Sequence, residues 1–485
     1  MRERTFILYL GLLAFLLLVT ACGTLKPGAE AKSLTILYTN DEHGWIAPDE
    51  DNAGGAAAMM QRWRDEEGYT EEEPFLILSG GDMWTGPALS TWFDGEPTIE
   101  VLNAMGYDAA AVGNHEFDFG PEGLREREAE AEFPFLAANL LDAETGERSD
   151  LALPYIIREV GELRVGIIGL ASTGTPKTTM PTHVATLTFA PYAETLEAIV
   201  PEVKEEGADL MIVISHLCNR EMKRLAPTAA DLGVAMIGGG HCHERVNRVT
   251  DDGVLLVESG AYMQAYTRVD LTINTQTGKV LESTAQIKDN SVGPQDEAVA
   301  AIVKSWQARL DDALDAVIGY SENGIRQRSP EMFNMVTDAW LAAYPADIAM
   351  SNAGGFRQDI PAGDITLADV VGMLPFDNVL IDCELTGQEV IASYKQGNRN
   401  VALGGMRART GYELLDGTPI EPEATYQVLV NDFMYAGGNG FRFQDYDPEA
   451  YHTGIDWRQP VIDWIAELNT SPDDPLENYL DSEWR

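Results

Sequence analysis

From residue 34 to about 288, short apolar runs alternate with stretches of helical periodicity. The runs cover 34–38, 75–78, 109–112, 135–138, 164–170, 210–214, 234–237 and 254–257. Runs such as Met211-Ile212-Val213-Ile214 show no polar alternation, which suits strands covered on both faces. The intervening segments 98–105 and 193–206 predict helices, and 267–287 predicts a hairpin turning at Thr277-Gly278. Together they predict an α/β domain of layered sheets and helices over 34–290. Residues 296–317 then carry Val299, Ile302, Trp306, Leu310, Leu314 and Val317 at helical spacing. This stretch follows Gly293-Pro294 and precedes Gly319, so it predicts a helical linker over 291–318 and a second domain over 319–485.

The 485 residues suffice for two or three domains, each burying its own core. Charge alters the picture more than length does. There are 33 Lys and Arg against 78 Asp and Glu, leaving a net charge of −45. Such a surface repels nucleic-acid polymers and anionic lipid, which argues against a sequence-independent polyanion binder. It fits adaptation to high salt, where screening weakens self-repulsion, or simply the solubility of an exported protein.

Export is predicted by the N-terminus. Arg2 and Arg4 precede an apolar run over 6–19, short for a spanning helix with room for tilt but suited to a secretory signal. The ending Val19-Thr20-Ala21-Cys22 resembles a bacterial lipobox, which implies removal of a 1–21 signal peptide and lipid on Cys22. Residues 22–33 would then be a tether holding the protein to a membrane, facing the periplasm or the exterior. A plain signal peptide or an uncleaved anchor helix is the alternative. Nothing in the sequence points to a protein partner.

Candidate chemistry gathers where strands are predicted to end. Five of the seven histidines fall in four short motifs, to which Gly80-Gly81-Asp82 adds a carboxylate. The motifs are Asp41-Glu42-His43, Asn114-His115-Glu116-Phe117-Asp118, Ser215-His216 and His241-Cys242-His243. The carboxyl edge of an α/β sheet is where loops converge on a ligand. Imidazole, carboxylate and an amide oxygen from Asn114 are the ligand mix for borderline divalent metals. Eight such groups exceed what one ion needs and suit two ions sharing a bridging carboxylate, the usual arrangement for hydrolysing phosphate esters. A spacing of two in Asp41-x-His43 and His241-x-His243 aims both side chains the same way if the segments are extended. Cys218 lies two residues past His216, and Cys242 lies between His241 and His243. If those histidines share a metal the two cysteines are neighbours, as a disulfide or as buried thiols, and an odd count including Cys383 leaves at least one thiol unpaired.

Thr39-Asn40-Asp41-Glu42-His43-Gly44, Gly80-Gly81-Asp82-x-x-Thr85-Gly86, Gly113-Asn114-His115-Glu116-Phe117-Asp118 and Gly240-His241-x-His243 resemble the motifs of calcineurin-type metallophosphoesterases. More narrowly, the chain is similar to the 5′-nucleotidase and UDP-sugar hydrolase family over 34 to about 450. The resemblance implies a four-layer metallophosphatase domain, a β-sandwich flanked by helices, followed by a separate α/β substrate domain. It implies two divalent ions (manganese, zinc, cobalt or similar) with Asp82 bridging. Asp41, His43, Asp82 and His243 would hold one, and Asp82, Asn114, His216 and His241 the other. His115 would be catalytic and oriented by Asp118, while a metal-bridging hydroxide attacks phosphorus. Some relatives carry Gln where His243 stands.

In the second domain, Asn352-Ala353-Gly354-Gly355-Phe356-Arg357 offers glycines and an arginine able to grip phosphate bidentately. Pro375-Phe376-Asp377-Asn378 and Gly437-Gly438-Asn439-Gly440-Phe441 each set an aromatic beside a turn, either as core residues or as a sandwich for a flat base. By resemblance Asn352, Arg357, Phe376, Asn378 and Phe441 fall on nucleotide-binding positions. Arg326, or Arg328 in its stead, matches another arginine, and Asp447, or Asp445, an acid for the ribose. The expected activity is removal of phosphate from 5′-nucleotides, with cleavage of UDP-sugar or dinucleotide pyrophosphate bonds as an extension. The rivals are a 2′,3′-cyclic-nucleotide phosphodiesterase with 3′-nucleotidase activity or a thiosulfohydrolase on the same scaffold, and a non-catalytic surface lipoprotein that binds nucleotides or metal.

Overall fold

A computed structural model describes residues 31–485 except 49–53, 71–73, 276, 399 and 410. The expected signal peptide and Cys22 lie outside the described residues. Among the described residues, no helix is long and apolar enough to cross a membrane.

Alternation along the strands decides the layering. In Ala31–Thr39, Leu34, Ile36 and Tyr38 turn into a layer between two sheets, while Leu37 turns outward to helices. In Leu210–Ser215, Ile212 and Ile214 enter the same layer, and Met211 and Val213 meet Tyr192–Glu205 and Asn219–Asp231 on the other side. Both faces are covered, so the runs need no polar positions. The outcome is four layers: helices, sheet, sheet, helices.

The first sheet has the order Lys279–Asp289, Ala265–Asn274, Ala31–Thr39, Phe75–Ser79, Ala109–Ala111, Phe135–Leu136. The second has the order Arg245–Val249, Leu255–Ser259, Val234–Gly238, Leu210–Ser215, Leu163–Leu170, Tyr155–Val160. Their central strands pair in parallel, so the carboxyl ends at Thr39, Ser79, Ser215 and Gly238 lie on matching edges. The run at 135–138 yields only two strand residues, because Ala137 and Ala138 donate instead to the carbonyls of Leu153 and Gly169.

The amphipathic stretch forms the helix Glu297–Leu314, capped by Asp296, which accepts from the N–H groups of Ala298 and Val299. It ends three residues short of expectation, since Val317 begins a strand paired with Gly363–Thr366. The helix is also more than a connector. Val299, Val303, Trp306, Leu310 and Leu314 pack into the first domain's helical layer, and Trp306 Nε1 donates to Glu100 Oε2 at 2.7 Å.

The C-terminal region builds its own sheet in the order Val401–Gly404, Ile348–Asn352, Thr425–Asn431, Val379–Thr386, Tyr451–Asp456. Ala349, Leu380 and Leu429 pack under Pro330–Ala343 and Gln459–Leu468. Met350, Ile381, Val428 and Val430 face Gly387–Gln396 on the opposite side. Cys383 is a buried free thiol there, whereas Cys218 and Cys242 form a disulfide.

Ile167 has no exposed surface in the layer between the sheets. Its replacement by Ala should cost about 2–5 kcal/mol and lower Tm by about 5 °C or more, read by thermal denaturation. A fall no larger than that of the exposed control Glu282→Ala would contradict the packing described.

Candidate active site

Two loops, one after each of the adjacent strands Ala31–Thr39 and Phe75–Ser79, run side by side. The N–H groups of Asp41, His43 and Gly44 donate to the carbonyls of Gly81, Asp82 and Met83 at 2.8–2.9 Å. The backbone here is not the extended chain that the spacing of two suggested. Asp41, His43, Asp82, His241 and His243 all take left-handed φ, between 48° and 75°. Each such residue costs on the order of 1 kcal/mol or more, so a helix-like twist, not pleat alternation, aims these side chains. Gly81 and Gly113 let the next loop close in: a Cβ on Gly81 would strike Gly113 N, and one on Gly113 would strike Asp82 Oδ1.

All seven expected metal-ligating residues meet at the mouth of the two sheets. Asp41, His43, Asp82 and Asn114 come from the first sheet, and His216, His241 and His243 from the second. His43 Nε2 lies 3.9 Å from Asp41 Oδ1, 3.9 Å from Asp82 Oδ2 and 3.3 Å from His243 Nε2. His243 Nε2 lies 3.5 Å from Asp41 Oδ1. On the other side His216 Nε2 lies 2.9 Å from Asp82 Oδ2 and 3.2 Å from His241 Nδ1. Asp41, His43 and His243 thus make one cluster able to hold a metal, Asp82, His216 and His241 another, and His43, Asp82 and His115 a third.

Neighbouring groups choose the face each ligand offers. His43 Nδ1 donates to Thr85 O and His216 Nδ1 to Gly80 O, leaving Nε2 of each for a cation. Asn114 Nδ2 donates to Thr178 O, while its Oδ1 is buried without a hydrogen-bond partner. A buried oxygen without a partner, on a residue lining the same cavity as His43, Asp82 and His241, fits a metal ligand. Burial lowers the imidazole of His241 to about 4. Burial also works against His216, but Asp82 outweighs it and carries that ring up to about 10. Two buried carboxylates here call for positive charge.

Glu116, to which the sequence assigned no role, holds the cluster together. Its carboxylate accepts from the backbone N–H groups of Asp82, Met83 and Gly113 at 2.8, 2.8 and 2.5 Å. Burial, then the charge of Asp82, raises it to about 7. Its place in Asn-His-Glu, between two glycine-bearing loops, was the available signal. His115 follows the expected dyad: Nδ1 stands 2.6 Å from Asp118 Oδ2, and Thr179 Oγ1 donates to the other Asp118 oxygen. His115 Nε2 is left facing a cavity of about 670 Å³.

The C-terminal domain supplies the far wall of that cavity. Asn352, Arg357, Phe376 and Asn378 all line it. Arg357 Nη2 reaches 3.4 Å from His43 Nδ1, and the Phe376 ring stacks near His115 with centroids 5.9 Å apart. Two expectations need correction. Phe441 is buried against Phe443 in the core beneath Gly387–Gln396, and the second aromatic that the C-terminal domain sets on the cavity is Phe433. Asp447 is turned away, accepting from Glu384 N at 2.8 Å, and Asp445 pairs with Arg442 on the surface; the polar side chain of that turn lining the cavity is Asn439. Arg326 lines a neighbouring cavity of about 1250 Å³, which meets the first at Arg357, and the charge of Arg357 also reaches Arg328, the alternative to Arg326. Phe433 was legible only as an aromatic just past an apolar strand, a weaker signal than Phe beside three glycines. His183, also missed, lines the cavity with Nδ1 2.8 Å from Phe117 O.

The chain is similar to known proteins along most of its length. Residues 313–445 match the family model described as 5′-nucleotidase, C-terminal domain, and 71–247 match that of the bacterial capsule synthesis protein PGA_cap. A 5′-nucleotidase of Vibrio cholerae is 28% identical over 91% of each chain. The solved 5′-nucleotidase precursor of Thermus thermophilus is 26% identical with a TM-score of 0.79, covering 91% of this chain and 97% of its own. The sulfate thiohydrolase SoxB of Thermus thermophilus shares the fold at 21% identity, with a TM-score of 0.70 and coverage of 92% and 95%. The chain carries the C-terminal domain of 5′-nucleotidases over 313–445 and is similar over 91% of its length to 5′-nucleotidases.

Proposed function

We propose that the protein is a two-metal phosphohydrolase that removes phosphate from 5′-nucleotides outside the cytoplasm, tethered through lipid on Cys22. The observation that carries the reaction is the convergence of seven ligand side chains beside the His115–Asp118 dyad, under a wall bearing Arg357 and two aromatic rings. Asp41, His43, Asp82 and His243 would hold one divalent ion, and Asp82, Asn114, His216 and His241 the other. When bound, the ions would supply Lewis-acid polarisation of the phosphoryl group and acidify water.

The chain's own groups do the rest. Arg357 holds the phosphate by its planar fork at the edge of the cluster. Asp118 fixes the tautomer of His115, so that Nε2 meets the charge growing on phosphoryl oxygen and can pass a proton to the leaving alcohol. Phe376 and Phe433 flank the base, with Asn378 and Asn439 at its polar edges. The working units are the metallophosphatase domain 34–290, the connecting segment 291–318 and the nucleotide domain 319–485. The cavity next to Arg357 suits a second arm on the phosphate, which supports pyrophosphate-linked nucleotides as additional substrates. The dyad weighs against a mere binding protein, because binding alone needs no oriented proton carrier.

Chelation followed by dialysis should abolish phosphatase activity, and manganese, cobalt or zinc should restore it; full activity in excess chelator would refute the metal reading. His115→Ala should lower kcat by about 100-fold or more while metal content holds, measured by steady-state kinetics and elemental analysis. Loss of metal instead would make His115 a ligand. Phe433→Ala should raise KM for AMP by about tenfold and scarcely alter hydrolysis of p-nitrophenyl phosphate. Phe441→Ala should lower thermal stability instead, and the reverse pattern would restore Phe441 to the site.

A further inference from the structure

Asn378 is 4% exposed, so its amide must be satisfied by what surrounds it. Its Nδ2 donates to Asp432 Oδ1 at 2.5 Å. An ionised carboxylate only accepts, so Asp432 leaves the amide one orientation. Asn378 Oδ1, by contrast, takes no hydrogen bond from the described residues, and both Asn378 and Asp432 line the reaction cavity. The cavity therefore meets an acceptor at this point, beside Phe376 and Phe433. Asp432 itself is anchored at the start of Asp432–Tyr435, whose preceding residue Asn431 accepts from Met434 N and donates to Asn352 Oδ1 at 2.9 Å. The two asparagines at the cavity are thus oriented in opposite senses: Asn378 by a carboxylate that takes its donor, Asn352 by an amide that fills its acceptor.

We propose that Asp432 is a positioning residue for base selection: by holding the Asn378 amide it presents Oδ1 to the base, and the enzyme favours bases carrying an amino group, adenine and cytosine, over their keto counterparts hypoxanthine and uracil. This rests on the nucleotide reading above. An amino group donates to Oδ1, whereas a keto oxygen at the same place leaves two acceptors facing each other with no proton between them. A site built to pair with a donor rejects the analogue lacking it, because its own buried group is left unpaired.

AMP and IMP differ at the exocyclic group of the purine and at the adjacent ring nitrogen, which accepts in AMP and carries a proton in IMP; CMP and UMP differ in the same two places, and the proposal concerns the exocyclic one. The expected result is kcat/KM about tenfold higher for AMP than for IMP and for CMP than for UMP, carried by KM. In Asp432→Asn, whose amide can also donate, Asn378 loses its imposed orientation and the AMP to IMP ratio should fall toward unity with metal content unchanged. Equal kcat/KM for AMP and IMP in the wild type, or an undiminished ratio in folded Asp432→Asn, would overturn the proposal. Absence of hydrolysis with every nucleotide would strike the functional reading instead. Calorimetry of adenosine and inosine on the metal-loaded protein then tests base selection without turnover: tighter adenosine supports it, and equal or weaker adenosine overturns it.

Discussion

One carboxylate, Asp82, has to face ligands carried by two different sheets, and the fold is arranged around that demand. His43 on one side and His216 on the other both address Asp82 Oδ2, from strands that never pair with each other. Its second oxygen is occupied by the His115 backbone N–H at 2.8 Å, which ties the dyad to the same residue. The two sheets must therefore stack with their carboxyl edges in line. The apolar layer of Leu34, Ile36, Ile212 and Ile214 enforces this, since a slip of one residue would turn those side chains to the wrong face. Left-handed backbone at five ligand positions is strain that a stable scaffold carries for the sake of geometry.

The disulfide belongs to the same logic. Cys218 precedes Asn219–Asp231 and Cys242 separates two histidines, so the bridge joins the loops bearing His216, His241 and His243. Glu116 does the equivalent work between the Asp82 and Asn114 loops by accepting three backbone N–H groups. One sheet's ligands are thus held by a buried carboxylate and the other's by a covalent link.

Much of this was legible beforehand, and for identifiable reasons. Strands covered on both faces are written as unbroken apolar runs, and their ends marked the ligand loops. The candidate metal-binding residues are chemically specific types in short motifs, so their convergence could be read without coordinates. Substrate residues were harder. Phe441 and Phe433 are both aromatics near one turn, and only packing shows that Phe441 fills the core under Gly387–Gln396 while Phe433 faces the cavity. Asp447 failed for a similar reason: a nearby acid is a common surface residue, and here a strand N–H claims it. Glu116 was hidden because its partners are backbone groups, which no side-chain pattern records. The helix Glu297–Leu314 was expected with a longer end, and its docking on Glu100 and Phe93 depends on residues two hundred positions away.

With two ions bound, Asp82 would be the one residue held in common by both. Metal analysis of purified Asp82→Ala beside the wild type tests it most directly. About two ions per chain are expected in the wild type and fewer than about one in the variant, with the circular dichroism spectrum unchanged. A folded Asp82→Ala protein that retains both ions would contradict it.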